Sequence, residues 1–122
     1  MQIKENTELL LQQVIEGIQE KKGKDIVIAD LRSIAGCICN YFVICEGNSP
    51  NQVSAIAESI KDYVRKNAYI KPVAVDGEKN AQWIAMDYGD IIVHTFLKEI
   101  RTYYQLENLW NDAKLTHIPN LD

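Results

Sequence analysis

Residues 83 to 96 read WIAMDYGDIIVHTF and carry two carboxylates and an imidazole, Asp87, Asp90 and His94, in a short span. Such a group could hold a divalent cation, which prefers oxygen ligands and often bridges to phosphate. In nucleotidyltransferases a Gly-Ser turn opening a helix binds phosphate, while aspartates on neighbouring strands hold the ion. This chain offers a partial likeness, with EGNSPNQ opening a helix and DYGD beside strands. The likeness is incomplete, because the turn reads Gly47-Asn48-Ser49 with no adjacent Gly-Ser pair. No Asp-x-Asp pair stands on a strand either. Asp87 and Asp90 also flank Tyr88-Gly89, where aspartates commonly bond the free N–H groups of a tight turn. We therefore read the pair as turn chemistry, with a nucleotidyltransferase-like enzyme as the competing class.

The remaining reactive groups have equally plain readings. His94 alternates with Ile92 and Phe96 on one strand face, where a lone histidine is a hydrogen-bonded core or edge residue. Cys37-x-Cys39 lacks the second pair that a zinc site needs. With Cys45, these cysteines are expected to be small buried apolar residues. No Ser, Cys and His spacing signals nucleophilic catalysis. Neither a metal nor a cofactor is expected.

Bulk properties narrow the class further. The 122 residues, 47% apolar and 25% charged, suit one domain spanning residues 1–122. No apolar run is long enough for a transmembrane helix, and the N-terminus has no signal-peptide profile. Three unevenly spaced cysteines fit a reducing, cytoplasmic setting. A net charge of −4 argues against phosphate backbone as the main partner.

The elements that must position these residues follow from periodicity. Leu10, Leu11, Val14, Ile15 and Ile18 form one helical face, with Asn6 or Thr7 as cap and Gly23 as stop. DIVIADL (25–31) and YFVICEG (41–47) read as buried strands. Ser49, Pro50 and Gln52 form a helix entrance, Gln52 reaching back to the Ser49 N–H in a capping box. Behind it Val53, Ile56, Ala57, Ile60 and Val64 form a stripe. KPVAVDGE (71–78) gives a short strand, and QWIAMD with DIIVHTF a hairpin turning at Tyr88-Gly89. A last helix covers 98–113, and 114–122 reads as a loosely held tail. The order α-β-β-α-β-β-β-α implies an α/β domain, a mixed sheet of about five strands flanked by helices.

Two features exceed what a single core requires. Trp83, Ala85 and Asp87 alternate with Ile84, Met86 and Tyr88, so both faces of that strand carry large apolar groups. The last helix places Tyr103, Tyr104, Leu106, Leu109 and Trp110 in eight positions, wider than one stripe. The readings are a sheet buried on both sides or an aromatic patch that docks a partner.

Taken in order, NYFVICEGNSPNQVSAIAESI, VDGE, WIAMDYGDIIVHTF and RTYYQLENLW resemble the signature blocks of the ribosomal silencing factor family, RsfS, also called iojap-like. The resemblance runs from about Asp25 to Ala113. Asn40 stands where an Asp is commoner, Asp76 where a Glu is more usual, and the EG after the second strand lacks the usual Thr. The resemblance implies a fold related to nucleotidyltransferases without their catalytic residues, and a non-enzymatic role. It implies binding to the large ribosomal subunit through that subunit's fourteenth protein, at the face that meets the small subunit. Subunit joining is then blocked by occupied space, repressing translation when nutrients are scarce. Organellar relatives are linked to large-subunit assembly, and isolated members tend to form homodimers. The family's partner surface maps onto Trp83, Ile84, Met86, Asp87 and Tyr88, and further onto His94, Tyr104, Leu106 and Trp110. Whether Trp83 or Met86 points outward stays open, since alternation puts them on opposite faces.

Overall fold

The computed structural model describes residues 2–34, 36, 39–104 and 113–121, with side chains from Thr7 onward. Helix α1 (Gln2–Glu20) leads into β1 (Lys24–Asp30) and β2 (Tyr41–Gly47), followed by α2 (Pro50–Ala68). Then come β3 (Ala74–Asp76), β4 (Trp83–Asp87), β5 (Ile91–Leu97), α3 (Lys98–Tyr104) and β6 (Lys114–Ile118). The described strands form one sheet in the order β3-β4-β5-β2-β1-β6. Only the central β2–β5 pair is parallel, and the other four pairs are antiparallel. The mixed α/β sheet is therefore as the sequence implies, with a sixth strand.

That sixth strand corrects the expected loose tail. Lys114–Ile118 lies antiparallel to β1, from Asp30↔Lys114 to Ile26↔Ile118. Beyond it, Asn120 Oδ1 accepts the Asp25 N–H at 2.8 Å, and Lys24 Nζ donates to the Leu121 carbonyl at 2.9 Å. An outer strand needs only one hydrogen-bonding neighbour, and all but Ile118 of its residues stay exposed. It therefore carries little of the apolar alternation that reveals a strand in sequence.

Two capping expectations shift in detail. Helix α1 begins at Gln2, so Thr7 lies inside it rather than capping it. At α2, Ser49 Oγ accepts the Gln52 N–H at 3.1 Å, as expected. Gln52 Oε1, however, takes the N–H of Asn48, at 2.7 Å, in place of that of Ser49. The last helix is described only over Lys98–Tyr104; residues 105–112 lie outside the described residues.

The pleat sorts side chains into two layers. On one face Leu10, Val14 and Ile18 of α1 and Val53, Ile56, Ile60 and Val64 of α2 cover Ile26, Val43, Cys45, Ile84, Met86, Ile91 and Val93. Ser59 Oγ of α2 donates to the Gly17 carbonyl of α1 at 2.7 Å, tying the helices together. The opposite face holds a smaller cluster of Ala29, Leu31, Cys39, Phe42, Ile44 and Phe96, with Trp83, Ile92 and Ile100 at its margin. Strand β2 is buried on both faces, which is why its apolar residues run without alternation.

Candidate functional site

The carboxylates of the β4–β5 hairpin are committed to the fold. Asp87 Oδ1 accepts the Gly89 N–H at 2.7 Å. Asp90 Oδ2 accepts from Thr7 Oγ1 of α1 at 3.0 Å, and its carbonyl accepts the N–H groups of Asn40 and Tyr41. The turn sits one residue later than expected. Tyr88 N–H donates to Ile91 O at 2.8 Å, so the two loop residues are Gly89 and Asp90. Gly89 supplies the positive φ, 89°, at the first of them, as a type II′ turn requires. Ser49 is likewise occupied as the α2 cap. Among the described residues, no group of three or more His, Cys, Asp and Glu is placed to hold a metal ion.

The two described cysteines are both buried. Cys45 is wholly buried, and burial pushes its thiol up to about 12. Cys39 is buried, its Sγ donating to the Tyr41 carbonyl at 3.5 Å, and Cys37 lies outside the described residues.

The strand pleat decides which of the expected docking residues can reach a partner. Ile84 and Met86, 1% and 0% exposed, belong to the core beneath α1 and α2. Tyr88 is buried in the same core, its hydroxyl without a hydrogen-bond partner among the described residues. These three expected contact residues are thus core residues of the folded chain. Opening the helix layer to expose them would cost their burial, about 2 kcal/mol per large side chain. Trp83 and Asp87 point to the other face and are partly exposed. Tyr104 is 49% exposed, while Leu106 and Trp110 lie outside the described residues.

On that second face the aromatic rings assemble into a ledge. Trp83 stacks on Phe96 of β5, ring centroids 4.9 Å apart at 27°. It meets Tyr104 of α3 at 5.0 Å, and Tyr103, 81% exposed, stands edge-on to Tyr104 at 5.1 Å. Behind Trp83, His94 is buried and packs edge-on to Phe42 at 4.6 Å. Its Nδ1 accepts the Trp83 Nε1–H at 3.0 Å. Burial lowers the His94 pKa from 6.5 to about 4, so the ring is neutral near pH 7. A shallow depression of about 230 Å³ beside Trp83 is lined by Gly77, Asn80, Gln82, Ile100 and Tyr104.

Helix α3, which carries Tyr103 and Tyr104, is pinned by a buried contact. Arg101 pairs with Glu46 at 3.3 Å, their side chains 8% and 10% exposed, and also donates to the Asp25 carbonyl. The burial that packs α3 there raises the Glu46 carboxyl above its usual range, against the pull of Arg101.

Sequence reasoning missed two contributors to this face. Phe96 forms the floor under Trp83, because Trp83 and Phe96 are register partners across β4 and β5. Asp76 of β3 pairs with Ala85, so it lies on the same side as Trp83 and Asp87 and adds an exposed carboxylate to the partly exposed one of Asp87. The signal was alternation plus register, and register is a tertiary property.

The rim depends on one backbone position. Gly77, φ 93°, follows β3, and a Cβ built there would fall 1.9 Å from the Trp83 carbonyl oxygen. Gly77→Ala is expected to cost about 2 kcal/mol or more, since both the left-handed φ and the contact oppose it. Urea denaturation of the two chains measures this; an unchanged midpoint would contradict it.

Comparison with known proteins adds an independent line. A family model described as "Ribosomal silencing factor during starvation" matches residues 4–122. A ribosomal silencing factor of Bacillus subtilis is 39% identical over 113 residues, covering 93% of this chain and 94% of that protein. The crystal structure of a Chromobacterium violaceum protein superposes with a TM-score of 0.79 at 30% identity, covering 98% of this chain and 95% of the other. A mouse protein named for mitochondrial assembly of the ribosomal large subunit is 33% identical over 76 residues, 58% of this chain and 32% of its own length.

Proposed function

The chain belongs to the ribosomal silencing factor family, and from that premise we propose that it represses translation by occupying space on the large ribosomal subunit. It binds that subunit through its fourteenth protein, at the face that meets the small subunit, and prevents joining when nutrients are scarce. The partly exposed Trp83–Tyr104 ledge, flanked by Asp76 and Asp87, carries this reading. Aromatic rings held rigid lose little side-chain entropy on docking, and they are enriched at interface centres. The flanking carboxylates suit a basic ribosomal protein and repel bare phosphate, consistent with the net charge of −4. Steric exclusion requires no nucleophile, proton transfer or metal.

A part in large-subunit assembly fits the same surface and is favoured by the name of the mouse relative. The setting is cytoplasmic. In isolation the chain forms a homodimer, for which the exposed Tyr103 and Tyr104 rings offer apolar surface that a second copy covers.

Gradient sedimentation of separated subunits mixed with the purified protein tests this reading. The protein should migrate with the large subunit, and the joined-ribosome peak should fall as protein is added. Undiminished joining at saturating protein, or migration with the small subunit, would overturn it.

A further inference from the structure

Trp83 Nε1 can only donate, so the 3.0 Å contact with His94 Nδ1 fixes the imidazole tautomer: the lone pair is on Nδ1 and the proton on Nε2. That proton has no hydrogen-bond partner among the described residues, although Nε2 is fully buried. An unsatisfied buried N–H is a net cost, which Leu or Phe at the same position would avoid. The compensation visible at this position is the bond to Trp83. Around the rest of the imidazole the described contacts are apolar, with Phe42 edge-on at 4.6 Å, Phe96 at 6.2 Å, and Ile44 and Ala85 opposite on the neighbouring strands. Trp83 is therefore held on two sides by apolar surface, Phe96 beneath and Tyr104 beside. Only His94 gives it a directional contact among those three.

We propose that His94 is a positioning residue whose Nδ1 latches the Trp83 indole into its docking orientation. The side chain itself is 7% exposed and does not form the docking surface. It acts through Trp83, by removing rotamers that would otherwise be frozen out on binding, a preorganising effect. The proposal rests on the docking role of Trp83 argued above and adds to it what sets the ring's orientation.

A double-mutant cycle on the full chain tests the latch, with purified large subunits as probe. His94→Leu, which removes the acceptor, should weaken binding about tenfold, the upper range for one hydrogen bond. In a Trp83→Phe background, which has no donor, the same change should cost less than about twofold. His94→Asn, which returns an oxygen near the Nδ1 position, should restore binding to within about threefold of the parent. In the free protein, the ¹H–¹⁵N indole signal assigned by its loss in Trp83→Phe should shift in His94→Leu and return in His94→Asn. Equal losses in both backgrounds, or an indole signal unmoved by His94→Leu, would overturn the latch while leaving the docking surface intact. Parent-level binding by Trp83→Ala would overturn both. If His94→Leu does not fold, the indole signal of His94→Asn decides the matter: retained supports the latch and lost overturns it.

Discussion

Trp83→Ala is expected to weaken binding to the large subunit about 30-fold or more while leaving the domain folded. The ring is partly exposed, stacked on Phe96 and bonded to His94, so it combines rigidity with contact area. Aromatic groups in such settings lose about 2 kcal/mol or more of binding energy on truncation. The informative contrast is Met86→Ala, three positions along the same strand. Met86 is wholly buried under the helices. Its truncation should cost about 2–5 kcal/mol of folding stability. Affinity per folded molecule should hardly change. Co-sedimentation and urea denaturation on both variants separate the two effects. If Met86→Ala lost affinity without losing stability, the assignment of faces would be wrong.

Acidification is expected to destabilise the domain through His94. In the unfolded chain the imidazole takes up a proton near pH 6.5, whereas burial in the folded protein delays uptake to about 4. The unfolded state binds more protons throughout that interval, so stability is complete above it and falls as pH drops through it. About 3 kcal/mol is lost by its lower end. Glu46 opposes this trend, since its raised carboxyl pKa makes the folded state the better proton binder. Comparing the parent with His94→Leu cancels that contribution, which both chains share. The parent should lose stability relative to the variant between pH 6.5 and 4. Denaturation curves at several pH values measure the difference. Parallel pH profiles would show that His94 is not buried as a neutral ring.

Local signals served best where a short stretch decides its own structure. Ser49-Pro50 opened α2 where capping chemistry required it, and the apolar stripes of α1 and α2 are the residues that pack on the sheet. The Asp-Tyr-Gly-Asp stretch was legible as a turn because its hydrogen bond from Gly89 to Asp87 spans two residues. Strand β6 was not legible, because an exposed edge strand is selected by the pairing groups of its neighbour and not by its own pattern. Which face of β4 is outward stayed open for a similar reason. Alternation placed Trp83 and Met86 on opposite faces without saying which face the helices cover.

By itself the sequence determined the mixed α/β class and the structural use of the acidic turn, because these rest on periodicity and short-range bonds, and it carried the family resemblance in the order of its motif blocks. Only the tertiary structure decided that Ile84, Met86 and Tyr88 are core while Trp83 faces outward. It also brought Phe96 and Tyr104 against that ring from two other elements and set Asp76 on the same face of the sheet. Strand register and helix placement join residues far apart in the chain, and no local propensity encodes which distant partner a face will meet.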